Sequence, residues 1–186
     1  GVGVSAREGK SLYDIFYSPS EAASAVLPTD LPCLWVLPSS PDFVAIELEL
    51  VGKTDREDYL RRVVECLDAD YDYIIIDCPP SLGLTTLNAL CAAKELLIPL
   101  QCEYYALEGL AQIMRTYDLV RRRLNPTLTL LGVLLTMYDG RNNLASQVVT
   151  EVREHFGDKA FQTLIPRNIR LSEAPSHGKP VITYDL

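Results

Sequence analysis

Continuous apolar runs alternate along this chain with stretches of helical periodicity, and no other feature constrains its fold as strongly. The runs lie at 73–77, 96–100, 130–136, 161–165 and 181–183. None alternates polar with apolar residues, the pattern expected of parallel strands covered on both faces. Helical segments are predicted between them at 82–93, 106–124 and 144–156, the second ended by Asn125-Pro126 and the third by Gly157. Strand and helix in alternation define an α/β class, here a doubly wound, mostly parallel sheet with helices on both faces.

Upstream of these runs, short helices are expected near 11–16 and 21–26, and Leu34-Trp35-Val36-Leu37 reads as a short buried strand before the turn Pro38-Ser39-Ser40. Thr54-Asp55-Arg56-Glu57 has the spacing of a capping box, and Leu60, Val63, Val64 and Leu67 recur at helical intervals, which predicts a helix over 55–67. No repeat or linker interrupts the 186 residues, and 48% apolar composition is ample for one packed domain over 1–186. With 17 Lys plus Arg against 25 Asp plus Glu, the net charge is −8, so any nucleic-acid contact needs a local basic patch. Five cysteines without a CxxC pair or metal-ligand spacing fit reduced, buried thiols in a cytosolic protein. No apolar run approaches a bilayer span, and the opening Gly1-Val2-Gly3-Val4-Ser5 is neither a signal peptide nor an initiator methionine. The expectation is a soluble, cytoplasmic chain truncated at its beginning.

Doubly wound sheets bind ligands outside the carboxyl ends of their strands. That rule singles out Asp77, Gln101 and Glu103, residues 136–139 and residues 166–168, four strand ends expected on one rim. Asp77 suits Mg²⁺, which keeps several waters and takes one or two carboxylates; capping of the next helix is an equal alternative. Cys78-Pro79-Pro80 imposes an extended turn, and Ser81 is placed to cap the helix that follows. A carboxylate neighbour disfavours a thiolate at Cys78.

Other constellations are weaker. Gly52-Lys53-Thr54 imitates the tail of a phosphate loop, but the first glycine would fall at Glu47, whose carboxylate would repel phosphate. His155 and His177 read as surface residues rather than bases. Arg121-Arg122-Arg123 suit the C-terminus of a long helix, where cations are favoured. Arg167, Arg170 and Lys179 fall along a loop-rich segment, where a helical role does not account for Arg170 and Lys179.

Four strings, in order, resemble the ParA/Soj chromosome and plasmid partition ATPases of the MinD/ParA superfamily. They are Asp77-Cys78-Pro79-Pro80-Ser81-Leu82-Gly83; the string from Pro99-Leu100-Gln101 through Leu107-Glu108-Gly109; Leu134-Leu135-Thr136-Met137-Tyr138-Asp139; and the string from Ile165-Pro166-Arg167 through Gly178-Lys179-Pro180. The resemblance implies a P-loop NTPase-like fold lacking its first two strands. It also implies an ATPase with a deviant Walker motif that forms an ATP-dependent homodimer, binds DNA non-specifically and hydrolyses ATP under stimulation by a ParB/Spo0J-type centromere-binding partner. By the same resemblance Asp77 matches the Walker B aspartate near Mg²⁺, and residues 79–83, with Pro79, Pro80, Ser81 and Gly83, match the switch that senses the γ-phosphate. Thr136, Met137, Pro166 and Arg167 match segments flanking adenine. Arg170 and Lys179 fall where the family's DNA-facing surface is expected, which implies a cytoplasmic, nucleoid-associated protein with no membrane attachment.

The family's phosphate loop, its two lysines, its magnesium-binding threonine and its switch I aspartate have no counterpart in these residues, so the chain as given is expected to be inactive and clipped at both ends. In the family sheet, the missing first strand lies between the strands ending at Asp77 and Leu100. Two other readings stand beside this one. One is a MinD-like membrane-associated cell-division ATPase, against which the 172–180 string weighs. The other is a non-catalytic interaction domain that has lost its phosphate loop.

Overall fold

A computed structural model of the chain describes residues 2–184. Their contacts group into two compact units, one of 2–92 with 169–184 and the other Ala93–Asn168.

The first unit begins with α1 (Leu12–Ile15) and α2 (Ala22–Ala25), then pairs β1 (Leu27–Pro28) with β2 (Trp35–Val36) as an antiparallel ladder. Helices α3 (Ile46–Glu49), α4 (Tyr59–Leu67) and α5 (Leu84–Ala92) follow. Ser11 caps α1 through a reciprocal capping box with Asp14. Ile15, Phe16, Ile46, Leu50, Leu60, Val63, Leu67 and Ala89 form the core. The Tyr59 ring stacks on Phe16 at 5.7 Å between centroids, and Phe43 meets it edge-on at 5.4 Å.

Helix α4 starts four residues later than the capping-box spacing implies. Asp55 adopts a left-handed φ of 54°, which a helix cannot accommodate, and residues 54–58 form turns instead. The first-turn donor is satisfied from a distance. Leu60 N–H donates to Asn88 Oδ1 at 3.2 Å, while Asn88 Nδ2 donates to Arg56 O at 2.8 Å and Leu84 O at 3.0 Å. Asn88 is buried, so these bonds hold α5 against the start of α4 where water is not available to replace them.

The run at 73–77 is not a strand. A strand exists only through pairing with a neighbour, and among the described residues of this unit the pairing between extended segments is that of β1 with β2. Ile74 and Ile76 still pack on the core, whereas Tyr73 and Ile75 are 88% and 91% exposed. Its apolar residues therefore divide between a buried face and an open one.

The second unit is two consecutive βαβ crossovers: β3 (Glu95–Gln101), α6 (Tyr104–Arg123), β4 (Thr129–Tyr138), α7 (Asn143–Phe156) and β5 (Ala160–Pro166). The three strands pair in parallel in the order β3-β4-β5. Ile98 lies opposite Val133, Leu100 opposite Leu135 and Leu135 opposite Leu164, and a register shift after Leu96 is absorbed at Leu131. Ile98, Leu100, Val133 and Leu135 point to one face, where Leu110 of α6 and Ala145, Val148, Val149 and Val152 of α7 cover them. Leu97, Leu131 and Phe161 remain partly exposed.

The predicted helix ends hold here. Buried Asn125 closes α6 by donating to Ala93 O at 2.8 Å. Gly157 closes α7 at φ 52° and ψ −122°, a conformation that suits glycine.

The chain then forms α8 (Ile169–Glu173) and α9 (Val181–Tyr184) in the first unit. The run 181–183, expected as a strand, is thus helical: Pro180 O accepts from both Thr183 N–H and its hydroxyl, closing a helical turn. Three β-branched residues are too few to impose extension against that capture. Of the chain's ends, Gly1, Asp185 and Leu186 lie outside the described residues. Cys91 and Cys102 are buried thiols as expected, but Cys33, Cys66 and Cys78 are exposed.

Replacing Asn88 by Leu should strand the Leu60 donor and the Arg56 acceptor. The expected loss is about 1–3 kcal/mol in urea unfolding, the cost of an unsatisfied buried polar group; an unchanged midpoint would show that these bonds do not hold the unit together.

Candidate functional site

In the first unit the chain leaves its half-buried apolar run at Asp77, which is exposed. Among the described residues its carboxylate accepts no hydrogen bond, so Asp77 does not cap α5 and keeps both oxygens free for a ligand. Beside it, partial desolvation, followed by the Asp77 charge, raises the Cys78 thiol above its ordinary value. A protonated thiol there is a poor nucleophile.

Ser81 does not cap α5 either. Helix α5 starts at Leu84, and Ser81 contributes its carbonyl, which accepts from the Thr86 hydroxyl at 2.6 Å. The capping oxygen comes from α3: Glu47 Oε1 accepts from the Thr85 hydroxyl at 3.2 Å and from Thr85 N–H at 3.4 Å. Gly83 stands where the cap side chain would be, and a Cβ there would collide with the Glu47 carboxylate. The residue that spoiled the phosphate-loop imitation in the sequence thus holds the end of the 79–83 turn.

In the second unit the carboxyl ends of β3, β4 and β5 share one rim, as parallel pairing requires. Cys102 N–H donates to Thr136 O at 3.0 Å and Arg167 N–H to Tyr138 O at 2.9 Å, so the segments after the strands are stitched together by backbone. Thr136, Met137, Pro166 and Arg167 all lie here. Met137 has a φ of 54°, a left-handed conformation that costs a side-chain-bearing residue about 1–2 kcal/mol. Strain of this kind concentrates at ligand sites. Arg167 reaches across to Glu103, Nη2 to Oε1 2.9 Å, closing the rim from β5 to the segment after β3.

Asp139, on the same rim, receives Arg141 Nη2 at 2.7 Å, Nε at 2.9 Å and N–H at 3.1 Å. These bonds, the side-chain ones foremost, hold its carboxyl down at about 2. Asn142 caps α7 through Leu144 N–H at 3.0 Å. Three strand ends share this rim; the run ending at Asp77 lies in the other unit and, among the described residues, in no sheet.

Arg170 and Lys179 are exposed. Arg170 is not in irregular chain, however; it lies in α8 and pairs with Glu173 at 3.0 Å. His155 sits in α7 against Phe156, and His177 stacks on Tyr184 at 5.0 Å. The arginine triplet occupies the last turn of α6, as expected. Among the described residues no cluster of three or more His, Cys, Asp or Glu has metal-ligand geometry, and no helix is long and apolar enough to cross a membrane. A lone carboxylate at Asp77 is compatible with Mg²⁺, which takes the rest of its shell from water and phosphate.

Comparison with known proteins accounts for this arrangement. The fold is that of α/β P-loop NTPases: the structure superposes with a TM-score of 0.77 on Mycobacterium smegmatis cobyrinic acid a,c-diamide synthase, solved with bound ADP and magnesium, at 38% identity over 86% of this chain and 64% of that one. A family model described as "AAA domain" (AAA_31) matches residues 1–130. The chain is 54% identical over 95% of its length to the chromosome partitioning protein ParA of Myxococcus xanthus, and 52% identical over 94% to the sporulation initiation inhibitor protein Soj of Bacillus subtilis. It belongs to the ParA/Soj chromosome-partitioning family. It spans 62% of the Myxococcus relative and 69% of the Bacillus one.

The Asp139 pairing has a definite pH signature. A carboxyl lowered to about 2, against an unfolded value of about 4, contributes stability that is fully present above pH 4 and lost as the pH falls through 2. Carboxyl NMR of Asp139 should titrate near 2 in the wild type and return towards about 4 in Arg141→Ala; the same midpoint in both would exclude the Arg141 bonds as the cause.

Proposed function

We propose that this chain is the greater part of a ParA/Soj-type partition ATPase, in which ATP-driven dimerisation and non-specific DNA binding are reversed by hydrolysis that a ParB/Spo0J-type partner stimulates. The observation that carries the reading is close identity to ParA and Soj proteins over nearly the whole chain. Relatedness over nearly the whole chain supports reading 1–186 as one ATPase domain, although its contacts fall into two units.

Within that reading the strained Met137 and its neighbour Thr136, with Pro166 and Arg167, form the wall against which adenine packs. The Arg167–Glu103 pair and the backbone bonds across the rim keep this wall rigid, so base recognition is a matter of shape and main chain. Asp77 holds Mg²⁺ through water, its oxygens being uncommitted. The ion would neutralise charge on the β- and γ-phosphates during transfer. Residues 79–83, with Pro79, Pro80, Ser81 and Gly83, act as the γ-phosphate sensor; two prolines stiffen its start and Glu47 holds its end. Arg170 and Lys179 supply positive charge for the DNA backbone. With a chain charge of −8, such contact depends on local geometry and weakens steeply with salt. The setting is cytoplasmic and nucleoid-associated.

The 186 residues include no glycine-rich phosphate loop. Gly52-Lys53-Thr54 lies in turns after α3, with Lys53 Nζ over the Tyr17 ring at 4.1 Å rather than free to meet phosphate. By themselves these residues lack donors for transition-state charge and are inactive. Isothermal titration of this chain with ATP and Mg²⁺ should give no saturable heat in the micromolar range; saturable micromolar binding would refute the claim of inactivity. The longest reading frame containing the chain should hydrolyse ATP faster with DNA and its centromere-binding partner. Asp77→Ala there should cost roughly 10- to 100-fold, the scale of losing a water-mediated metal contact; full activity in that variant would remove Asp77 from the metal site.

A further inference from the structure

A segment that senses a γ-phosphate, as proposed for residues 79–83, must be fastened to the rest of the protein. Its first half is stiffened locally by Pro79 and Pro80, but its second half ends at Gly83, a residue with no side chain to anchor it. The anchor comes from 36 positions earlier in sequence. Glu47 Oε1 takes both the hydroxyl and the N–H of Thr85, in the first turn of α5. The fit is close enough that a methyl group at Gly83 would overlap the carboxylate. Glu47 itself rides on a fixed base, because its neighbour Ile46 and, one helical turn on, Leu50 are fully buried. The far side of the joint is fixed too: Thr86 ties back to Ser81 O, and Asn88 locks α5 to α4. The 79–83 turn is thus bonded to α5, through Thr86 to Ser81 O and Leu87 N–H to Gly83 O, and the start of α5 is in turn held to α3 through the Glu47 carboxylate on Thr85.

The charge has its own consequence. A carboxylate at a helix N-terminus is stabilised by the helix dipole and by the unpaired amides there. While Glu47 holds Thr85, that amide is taken. An anionic group arriving at the preceding turn meets a negative charge at its far end instead of a free donor. We propose that Glu47 is a positioning residue for the 79–83 switch: through Thr85 it sets where the turn ends, and thereby where Ser81 and Gly83 stand when nucleotide is bound. The role rests on the partition-ATPase reading. It adds to that reading a residue outside the segments assigned to nucleotide.

Two measurements test it. In the chain itself, Glu47→Ala should raise the hydrogen-exchange rate of the Thr85 amide and its neighbours in the first turn of α5 roughly tenfold, the equivalent of one lost hydrogen bond, with the α7 amides unchanged. Uniform acceleration throughout the chain would mean loss of fold rather than of an anchor, and would count against the proposal. In the longest reading frame containing the chain, Glu47→Ala should lower kcat for ATP hydrolysis about 10- to 100-fold, as a displaced positioning group does, while KM for ATP stays within about a factor of two. Glu47→Gln, which keeps the acceptor oxygen, should restore most of kcat. Wild-type kcat in a folded Glu47→Ala protein, or a loss expressed in KM alone, overturns the role of Glu47 and leaves the ATPase reading standing. A wild-type protein that hydrolyses no ATP overturns the ATPase reading itself, and with it the role built upon it.

Discussion

The first unit depends on a single buried amide. Asn88 donates twice and accepts once, and its three partners belong to the chain just before α4, to the first turn of α4 and to the start of its own helix. Without it α4 would begin with an unsatisfied donor inside the core, and α5 would pack by apolar contact alone. Such contact is indifferent to small rotations; three directed hydrogen bonds are not. They set the rotation of α5, which decides where Thr85 and Thr86 point and so where the 79–83 turn is fastened.

In the second unit the governing element is β4. Paired in parallel on both edges, it brings the carboxyl ends of three strands to one rim, and the crossover helices needed to connect parallel strands cover one face. The rim is then rigid for a reason independent of any ligand: backbone bonds run from Cys102 to Thr136 and from Arg167 to Tyr138. A platform held by main chain tolerates varied side chains, which suits recognition of a flat base by packing. The left-handed Met137 is a costly element on it, and it falls in the register irregularity between Leu135 and Tyr138 where β4 pairs with β5.

Much of this was legible beforehand. The helices of the second unit, their ends at Asn125 and Gly157, and the three strands of the parallel sheet follow from apolar period and from residues whose conformational preferences act locally. The failures share a cause. The run at 73–77 has the composition of a strand but, among the described residues, no partner to pair with, and the run at 181–183 is captured by Pro180. Local spacing points to Thr54 as the cap of α4 and to Ser81 as that of α5, each the nearest suitable residue in sequence, yet the oxygens come from Asn88 and Glu47, 28 and 38 positions from the donors they meet. In sequence, Glu47 shows only as the residue that breaks the imitation of a phosphate loop. A glycine at the position just before a helix, where a capping side chain is usual, was the one available sign that something else occupied that place.

What the sequence by itself determined is whatever depends on neighbours a few residues apart: the α/β class, the helix periods, the chain reversals at proline and glycine, and the four strings that mark the ParA/Soj family. Tertiary structure decided which apolar runs became strands, which carboxylate remained free and which became a cap, and that Met137 would be strained. The physical reason is that hydrogen-bond satisfaction in a buried interior is a global condition. Each donor must find an acceptor wherever the packed chain places one, and Thr85 found its acceptor in Glu47.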